Sequence, residues 1–243
     1  MLDGVSVTVE RGEIVVVLGG SGSGKSTLLR CIVGLLAPWE GRVLVGGRDV
    51  NAAEGRARDA ILRDVGMAFQ SAALLNSMTV AENVALPIVE HWDVDERTAL
   101  MLARMRLARV GLGRAGDKMP NELSGGMRKR AGLARAMALD PSLLLFDEPS
   151  AGLDPVTARE LDDLILDLKR EGTMGIVVVT HELGSINVIA DRAIMLVDGH
   201  VLAAGTLDAV RAHPDPRVQA FFERRTLAEH DDPGLLAELE QPA

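Results

Sequence analysis

Gly19-Gly20-Ser21-Gly22-Ser23-Gly24-Lys25-Ser26-Thr27 is the stretch that decides the fold of this 243-residue chain. It directly follows an apolar run, Ile14-Val15-Val16-Val17-Leu18, and opens a segment with helical spacing at Leu28, Leu29, Ile32 and Val33. Strand, glycine loop, helix is the context that a phosphate-binding loop requires, and Gly19, Gly24, Lys25 and Ser26 meet the spacing G-x-x-x-x-G-K-S/T. Glycine lets the chain curl until successive backbone N–H groups converge on a polyphosphate. The helix that follows adds the positive end of its dipole. Lys25 supplies a point charge for the β and γ phosphates, and the Ser26 hydroxyl suits Mg2+. A dinucleotide-binding loop is not matched, because Gly20, Gly22 and Gly24 recur every second residue and G-x-G-x-x-G is not met.

Outward from this loop, the pattern alternates strands and helices. Val5 to Val9 alternates with Ser6 and Thr8 and reads as a half-buried strand; Ile14 to Leu18 reads as a central one. Pro38 to Gly41 and Gly46-Gly47 are turns around a short strand, Arg42 to Val45, and Glu54 to Arg63 is a short polar helix or loop. Val65 to Phe69 is a strand ending at Gln70. The pattern becomes helical from Thr79 to Arg109, breaks at Gly111 to Gly116, and is helical again from about Ser124 to Leu139. Strands resume at Leu143 to Glu148 and Gly175 to Thr180, with a helix between them from Pro155 to Arg170. A hairpin follows, Arg192–Val197 and His200–Ala204 around Asp198-Gly199, then a short helix from Thr206 to Ala212. Such alternation indicates an α/β fold, a mostly parallel sheet with flanking helices, a small antiparallel β region and an inserted helical subdomain. The expected organisation is a single domain over 1–243. Its core is built from 1–70 and 141–212, with a helical subdomain at 71–140 and a C-terminal extension at 213–243.

Composition narrows the partners. The net charge of −9 disfavours nucleic acid and anionic lipid surfaces. Cys31 is the only cysteine, which leaves no disulfide framework or cysteine-based metal site and fits a reducing cytosol. No apolar run approaches the ~18 residues of a membrane span, and no basic-then-apolar leader is visible. Any membrane role is therefore expected to come through a partner.

Ligands of open α/β sheets sit at the carboxyl ends of strands, and Gly19, Asp147 and His181 all occupy such ends. The Asp of a strand-terminal acidic pair suits Mg2+ in a phosphate-loop protein, and Glu148 beside it could deprotonate a water. Leu123-Ser124-Gly125-Gly126-Met127 precedes a helix carrying Arg128, Lys129, Arg130 and Arg135. Ser124 is a good N-cap, and Gly125 and Gly126 bare a second anion-binding helix terminus. One nucleotide could reach both anion sites if the insertion folded back over the first loop, or if a two-fold dimer brought the Ser124 loop of one copy to the loop of the other.

Together these residues resemble the ATP-binding cassette (ABC) ATPases. GGSGSGKST resembles their Walker A motif, Gln70 the Q-loop, LSGGM the signature loop, LLLLFDE Walker B, SAGLD (Ser150 to Asp154) the D-loop and His181 the switch histidine, all in the family's order over residues 2–210. The resemblance implies a P-loop NTPase core and hydrolysis of ATP with Mg2+ in a nucleotide-sandwich dimer. It implies that Gly19, Gly20, Ser21, Gly22, Ser23, Gly24, Lys25, Ser26 and Thr27 bind the phosphates, with Ser26, Gln70 and Asp147 on the metal. Glu148 is the implied base, assisted by Gln70, and His181 steadies the γ-phosphate. Ser124, Gly125, Gly126 and Asp154 address the nucleotide and surface of the facing copy.

Two departures sharpen the reading. The signature loop usually ends in Gln but here ends in Met127, and LSGGM with EPSAGLDP (Glu148 to Pro155) is similar to the lipid-transporting Mla and Mce branch, also described as toluene-tolerance transporters. That likeness implies lipid transport with an MlaE-type permease and an MCE-type substrate-binding protein. The chain would then sit peripherally on the cytoplasmic side of a bacterial inner membrane. The alternatives are an ABC ATPase for another solute, or a soluble one on nucleic acid or ribosomes, which the −9 charge disfavours. The second departure is that no aromatic precedes Trp39, where the family carries one that stacks on adenine. The expectation is that the true start lies about 20 residues upstream, a length taken from the family's usual N-terminal region, with a stacking residue worth ~1–3 kcal/mol. The acidic tail, with Phe221, Phe222 and Leu235 to Leu239, is expected to dock on a partner ATPase subunit.

Overall fold

The computed structural model describes residues 2–224. Its centre is a six-stranded sheet. In chain order the strands are β1 (Ile14–Leu18), β4 (Val65–Ala68), β5 (Leu143–Asp147), β6 (Gly175–Val179), β7 (Arg192–Val197) and β8 (His200–Thr206), and across the sheet they run β4-β5-β6-β1-β7-β8. The pairs from β4 to β7 are parallel, and the β7–β8 edge hairpin is antiparallel. Every residue of β1 is buried, as a strand covered on both faces must be. Ile14, Val16 and Leu18 point into the larger core, and Val15 and Val17 into a second core on the opposite face. The short strands β2 (Leu44–Val45) and β3 (Arg48–Asp49) form the separate antiparallel region, joined through Gly46 and Gly47 at φ 54° and 75°.

Helix α1 (Lys25–Ile32) follows the glycine loop, and α2 (Gly55–Leu62) precedes β4. Between β4 and β5 lie α3 (Val80–His91), α4 (Glu96–Arg109), a single 3₁₀ turn at Pro120–Glu122 and α5 (Gly125–Ala136). The long helical stretch therefore splits. Thr79 and Glu82 close a reciprocal capping box on α3, and Asp95 caps α4 by accepting from the Thr98 amide at 2.7 Å. Buried Asn83 fixes the approach to α3, donating to the carbonyls of Leu75, Met78 and Thr79 and accepting from the Leu75 amide. After β5 come α6 (Pro155–Arg170), α7 (Leu183–Ile189), α8 (Leu207–Arg211) and α9 (Pro216–Glu223).

Three expectations change. Val5 to Val9 joins no strand ladder among the described residues, although Val5, Val7 and Val9 do pack against the second core while Ser6 and Thr8 are exposed. Alternation reports a buried face, not hydrogen-bonded pairing. The backbone is instead tied singly, by the Asp3 amide ahead of the segment to the Gly199 carbonyl and by the Arg192 guanidinium to the Thr8 carbonyl. The strand expected over Arg42 to Val45 contracts to Leu44–Val45, and α7 has no counterpart in the sequence reading. Phe221 and Phe222, in the tail expected to dock on a partner, are partly buried against the chain's own core. They meet edge to face at 5.5 Å, pack on the main core, and Phe222 lies under the Arg211 guanidinium. Leu235 to Leu239 lies outside the described residues. No helix among the described residues is long and apolar enough to cross a membrane.

Candidate nucleotide site

Sheet order brings the predicted chemistry together. β5, β6 and β1 are adjacent and parallel, so Asp147, His181 and the Gly19 loop leave the same edge side by side, with Gln70 next to them beyond β4. The loop turns sharply because Gly19 has φ 145° and sits against its surroundings. A Cβ there would lie 2.3 Å from the Leu196 carbonyl oxygen and 2.6 Å from Ser23 Oγ. Gly24, left-handed at φ 104°, is the N-cap of α1. Lys25 folds back over the loop and donates to the carbonyls of Gly19 at 2.8 Å and Gly20 at 2.7 Å. Burial holds its ammonium pKa below the ordinary value, opposed by the charges of Glu148 and Asp147.

Asp147 ends β5. Burial pushes its carboxyl pKa up, as does the Glu148 charge, while Lys25 and Arg30 pull it down. Asp147 and Gln70 line one cleft of about 450 Å³ together with Phe69, Ser71 and Ala151. Their oxygens and the Ser26 hydroxyl are hard donors of the kind Mg2+ takes. Among the described residues no cluster of three or more His, Cys, Asp or Glu could hold a metal unaided. Such a donor set fits a cation that draws its remaining ligands from phosphate and water.

Glu148 is held on several sides. Its amide donates to the Val179 carbonyl at 2.8 Å, and its Oε1 lies 2.7 Å from His181 Nδ1. Its Oε2 is buried without a partner among the described residues. Its backbone is left-handed at φ 48°, a conformation that costs an L-residue about 1–2 kcal/mol. His181 itself is largely exposed.

The Ser124 loop lies elsewhere on the chain. Ser124 Oγ caps α5 by accepting from the Met127 amide at 3.2 Å. A Cβ on Gly125 would lie 3.8 Å from Leu153, and one on Gly126 only 2.4 Å from Thr157 Cγ2, so the loop is seated against the start of α6. Asp154 caps that helix, accepting from the amides of Val156 and Thr157 and from the Thr157 hydroxyl.

A family profile described as ABC transporter matches residues 2–151. This chain belongs to the ABC transporter family. The phospholipid transport ATP-binding protein MlaF of Escherichia coli K12 is 42% identical over 223 residues, spanning 92% of this chain and 83% of that one. The methionine import ATP-binding protein MetN 2 of Rhodopseudomonas palustris is also 42% identical, over 98% of this chain but 63% of that one. The dimeric ATP-binding cassette MJ0796, solved with ADP and Pi, superposes with a TM-score of 0.77 at 34% identity, covering 85% of this chain and 90% of that one. The chain is thus an ABC-type ATPase with the P-loop NTPase fold.

In this ABC ATPase the four basic residues of α5 do not form one solvated face. Arg128 donates to the Leu123 carbonyl and Arg130 pairs with Glu160. Lys129 donates to the Glu148 carbonyl at 3.1 Å, and burial lowers its pKa. Arg135, also desolvated, donates to the carbonyls of Ala72 at 2.9 Å and Ala73 at 2.7 Å, two left-handed residues just beyond Gln70. Helical spacing placed these residues on α5, but only the fold shows that two of them face the site. Asp162 was also missed. It is buried on α6, with its carboxyl pKa raised by desolvation and offset by a bond to Ser185, whose hydroxyl meets that of Ser150 at 3.4 Å.

Proposed function

We propose that this ABC ATPase energises lipid transport through a membrane permease. The observation that carries the catalytic half is Glu148, fixed at the sheet edge beside the phosphate loop with its carboxylate on His181. In this reading Gly19 to Thr27 bind the polyphosphate of ATP through loop amides and Lys25. Ser26, Gln70 and Asp147 would hold Mg2+, which would supply charge neutralisation to the polyphosphate. Glu148 accepts a proton from the attacking water, Gln70 helps place that water, and His181 donates toward the γ-phosphate.

The Ser124-Gly125-Gly126 loop is seated against Leu153 and Thr157, and among the described residues none of its contacts is with its own phosphate loop. It is therefore read as completing the site of a second copy, with Asp154 at the same interface. The division into a core (1–70 and 141–212), a helical subdomain (71–140) and a C-terminal extension (213–243) belongs to this proposal. The helical part carries the motion to the permease. ATP binding closes the dimer and hydrolysis reopens it.

Lipid as the cargo is supported by Met127 with EPSAGLDP and by the likeness to MlaF over 83% of its length, against 63% for MetN 2. The partners would be an MlaE-type permease and an MCE-type substrate-binding protein. The chain would be peripheral, on the cytoplasmic side of a bacterial inner membrane. Glu148→Gln is expected to abolish turnover and to accumulate an ATP-bound dimer on size-exclusion chromatography; wild-type turnover would refute the base assignment. Purification of the ATPase with its native permease should bring phospholipid with it, and a complex stimulated by an amino acid would refute lipid as cargo.

A further inference from the structure

Glu148 is an unlikely residue to find in its own backbone conformation. It is left-handed without being glycine, and Pro149 follows it, which biases a residue toward extended backbone. Something outside the turn must hold it. The amide has Val179. The carbonyl has the Ala151 amide at a long 3.3 Å and Lys129 Nζ at 3.1 Å. Lys129 gives up part of its hydration to make that bond, instead of extending into water as a surface lysine can. Its neighbours Arg128 and Arg130 turn to other partners, so at this point of α5 the contact with Glu148 is carried by Lys129.

We propose that Lys129 is a positioning residue for the catalytic base. Through it, the helix whose N-terminus reaches the nucleotide on a second copy holds the main chain of its own Glu148. The inference rests on reading Glu148 as the base. Ser124 and Lys129 are five residues apart, about 7.5 Å along one rigid helix. A small rotation of α5 on closure of the Ser124 loop over the partner's phosphates therefore pulls directly on the Glu148 carbonyl. The base comes to its working position when the other site is filled. Without Lys129, the carbonyl keeps only the long Ala151 contact, the peptide at 148–149 is held less firmly, and the carboxylate strays from the line of attack.

The test compares Lys129→Met, Lys129→Arg and Glu148→Gln in the full-length chain, by steady-state ATP hydrolysis, binding of a fluorescent ADP and ATP-induced dimerisation. Misplacement of a reacting group by about 1 Å costs on the order of 100-fold. Lys129→Met is therefore expected to lower kcat about 10- to 100-fold, with KM for ATP and ADP affinity within about twofold of wild type. Lys129→Arg keeps the donor and the charge and should stay within about threefold of wild-type kcat. In a Glu148→Gln background, adding Lys129→Met should leave the ATP-trapped dimer intact, because Lys129 acts on the base and not on nucleotide capture. Wild-type kcat in Lys129→Met, with Glu148→Gln inactive, overturns the inference alone. Parallel loss of kcat, ADP affinity and dimer trapping overturns it too, since that marks a general structural role. Wild-type turnover in Glu148→Gln overturns the base assignment together with the inference.

Discussion

Gly126→Ala tests how tightly the Ser124 loop is seated on α6. The new Cβ would lie 2.4 Å from Thr157 Cγ2, against a contact distance of about 3.5–4.0 Å between carbons. Thr157 cannot simply rotate away, because its hydroxyl donates to Asp154 Oδ2 at 2.6 Å and so helps cap α6. Either α5 and α6 move apart or the cap opens. Overpacking of this kind costs about 1–3 kcal/mol. Replacing a helical glycine returns up to about 1 kcal/mol, and less in a first turn, where Gly126 sits. The variant is therefore expected to lose about 1–2 kcal/mol in urea denaturation. It should lose more in ATPase activity, on the order of 10- to 100-fold, because the Ser124 loop shifts relative to Leu153 and Asp154. Thr157→Ser removes the clashing methyl and keeps the capping hydroxyl. The double variant should recover at least about 1 kcal/mol and most of the turnover, and a double-mutant cycle isolates that coupling. Wild-type stability in Gly126→Ala, or no recovery with Thr157→Ser, would refute the packing argument.

Other expectations follow from single contacts. Arg135→Met deprives the Ala72 and Ala73 carbonyls of their donors and should destabilise the segment after Gln70; amide hydrogen exchange at residues 70–75 should rise, and Arg135→Lys should restore part of the protection. Ala73→Gly removes the strain of φ 48° at an exposed position and is expected to stabilise by about 0.5–1 kcal/mol in urea denaturation, opposite in sign to most alanine-to-glycine changes. Asp162 has a raised carboxyl pKa when folded, so the native state holds its proton to higher pH than the unfolded chain and stability falls as pH rises above the ordinary value of about 3.9. Asp162→Asn lacks this penalty. Its stability relative to wild type should grow from pH 4 toward neutrality, and a pH-independent difference would sink the assignment.

What the sequence disclosed depended on how local the information was. The Gly19 loop was legible because its function is written in consecutive residues: each glycine serves a backbone angle and the flanks define strand and helix. Asp147, Glu148 and His181 were legible as strand-terminal groups, since a parallel sheet gathers such ends on one edge whatever the strand order. The order itself, with β6 between β5 and β1, is set by packing of distant segments and had no local signature. Val5 to Val9 failed for the opposite reason. Its local signal was clear, but burial of alternate residues constrains one face and leaves hydrogen bonding free.

The basic residues of α5 show the same limit at the site. A helical wheel assigns them to a helix, but the partners of Lys129 and Arg135 lie 19 and 62–63 residues away, at the Glu148 carbonyl and at Ala72 and Ala73. Those targets are backbone carbonyls, which every residue has, so no side-chain pattern could have marked them. The residues that carry them, Glu148, Ala72 and Ala73, are all left-handed, and that strain is itself invisible in residues whose identity does not demand it. Strained backbone at a reacting group has to be anchored from outside. In this chain the anchors come from one helix, Lys129 on the Walker B side and Arg135 on the Gln70 side. The helix that Ser124 caps is thereby the one that ties down the backbone beside both Asp147 and Gln70.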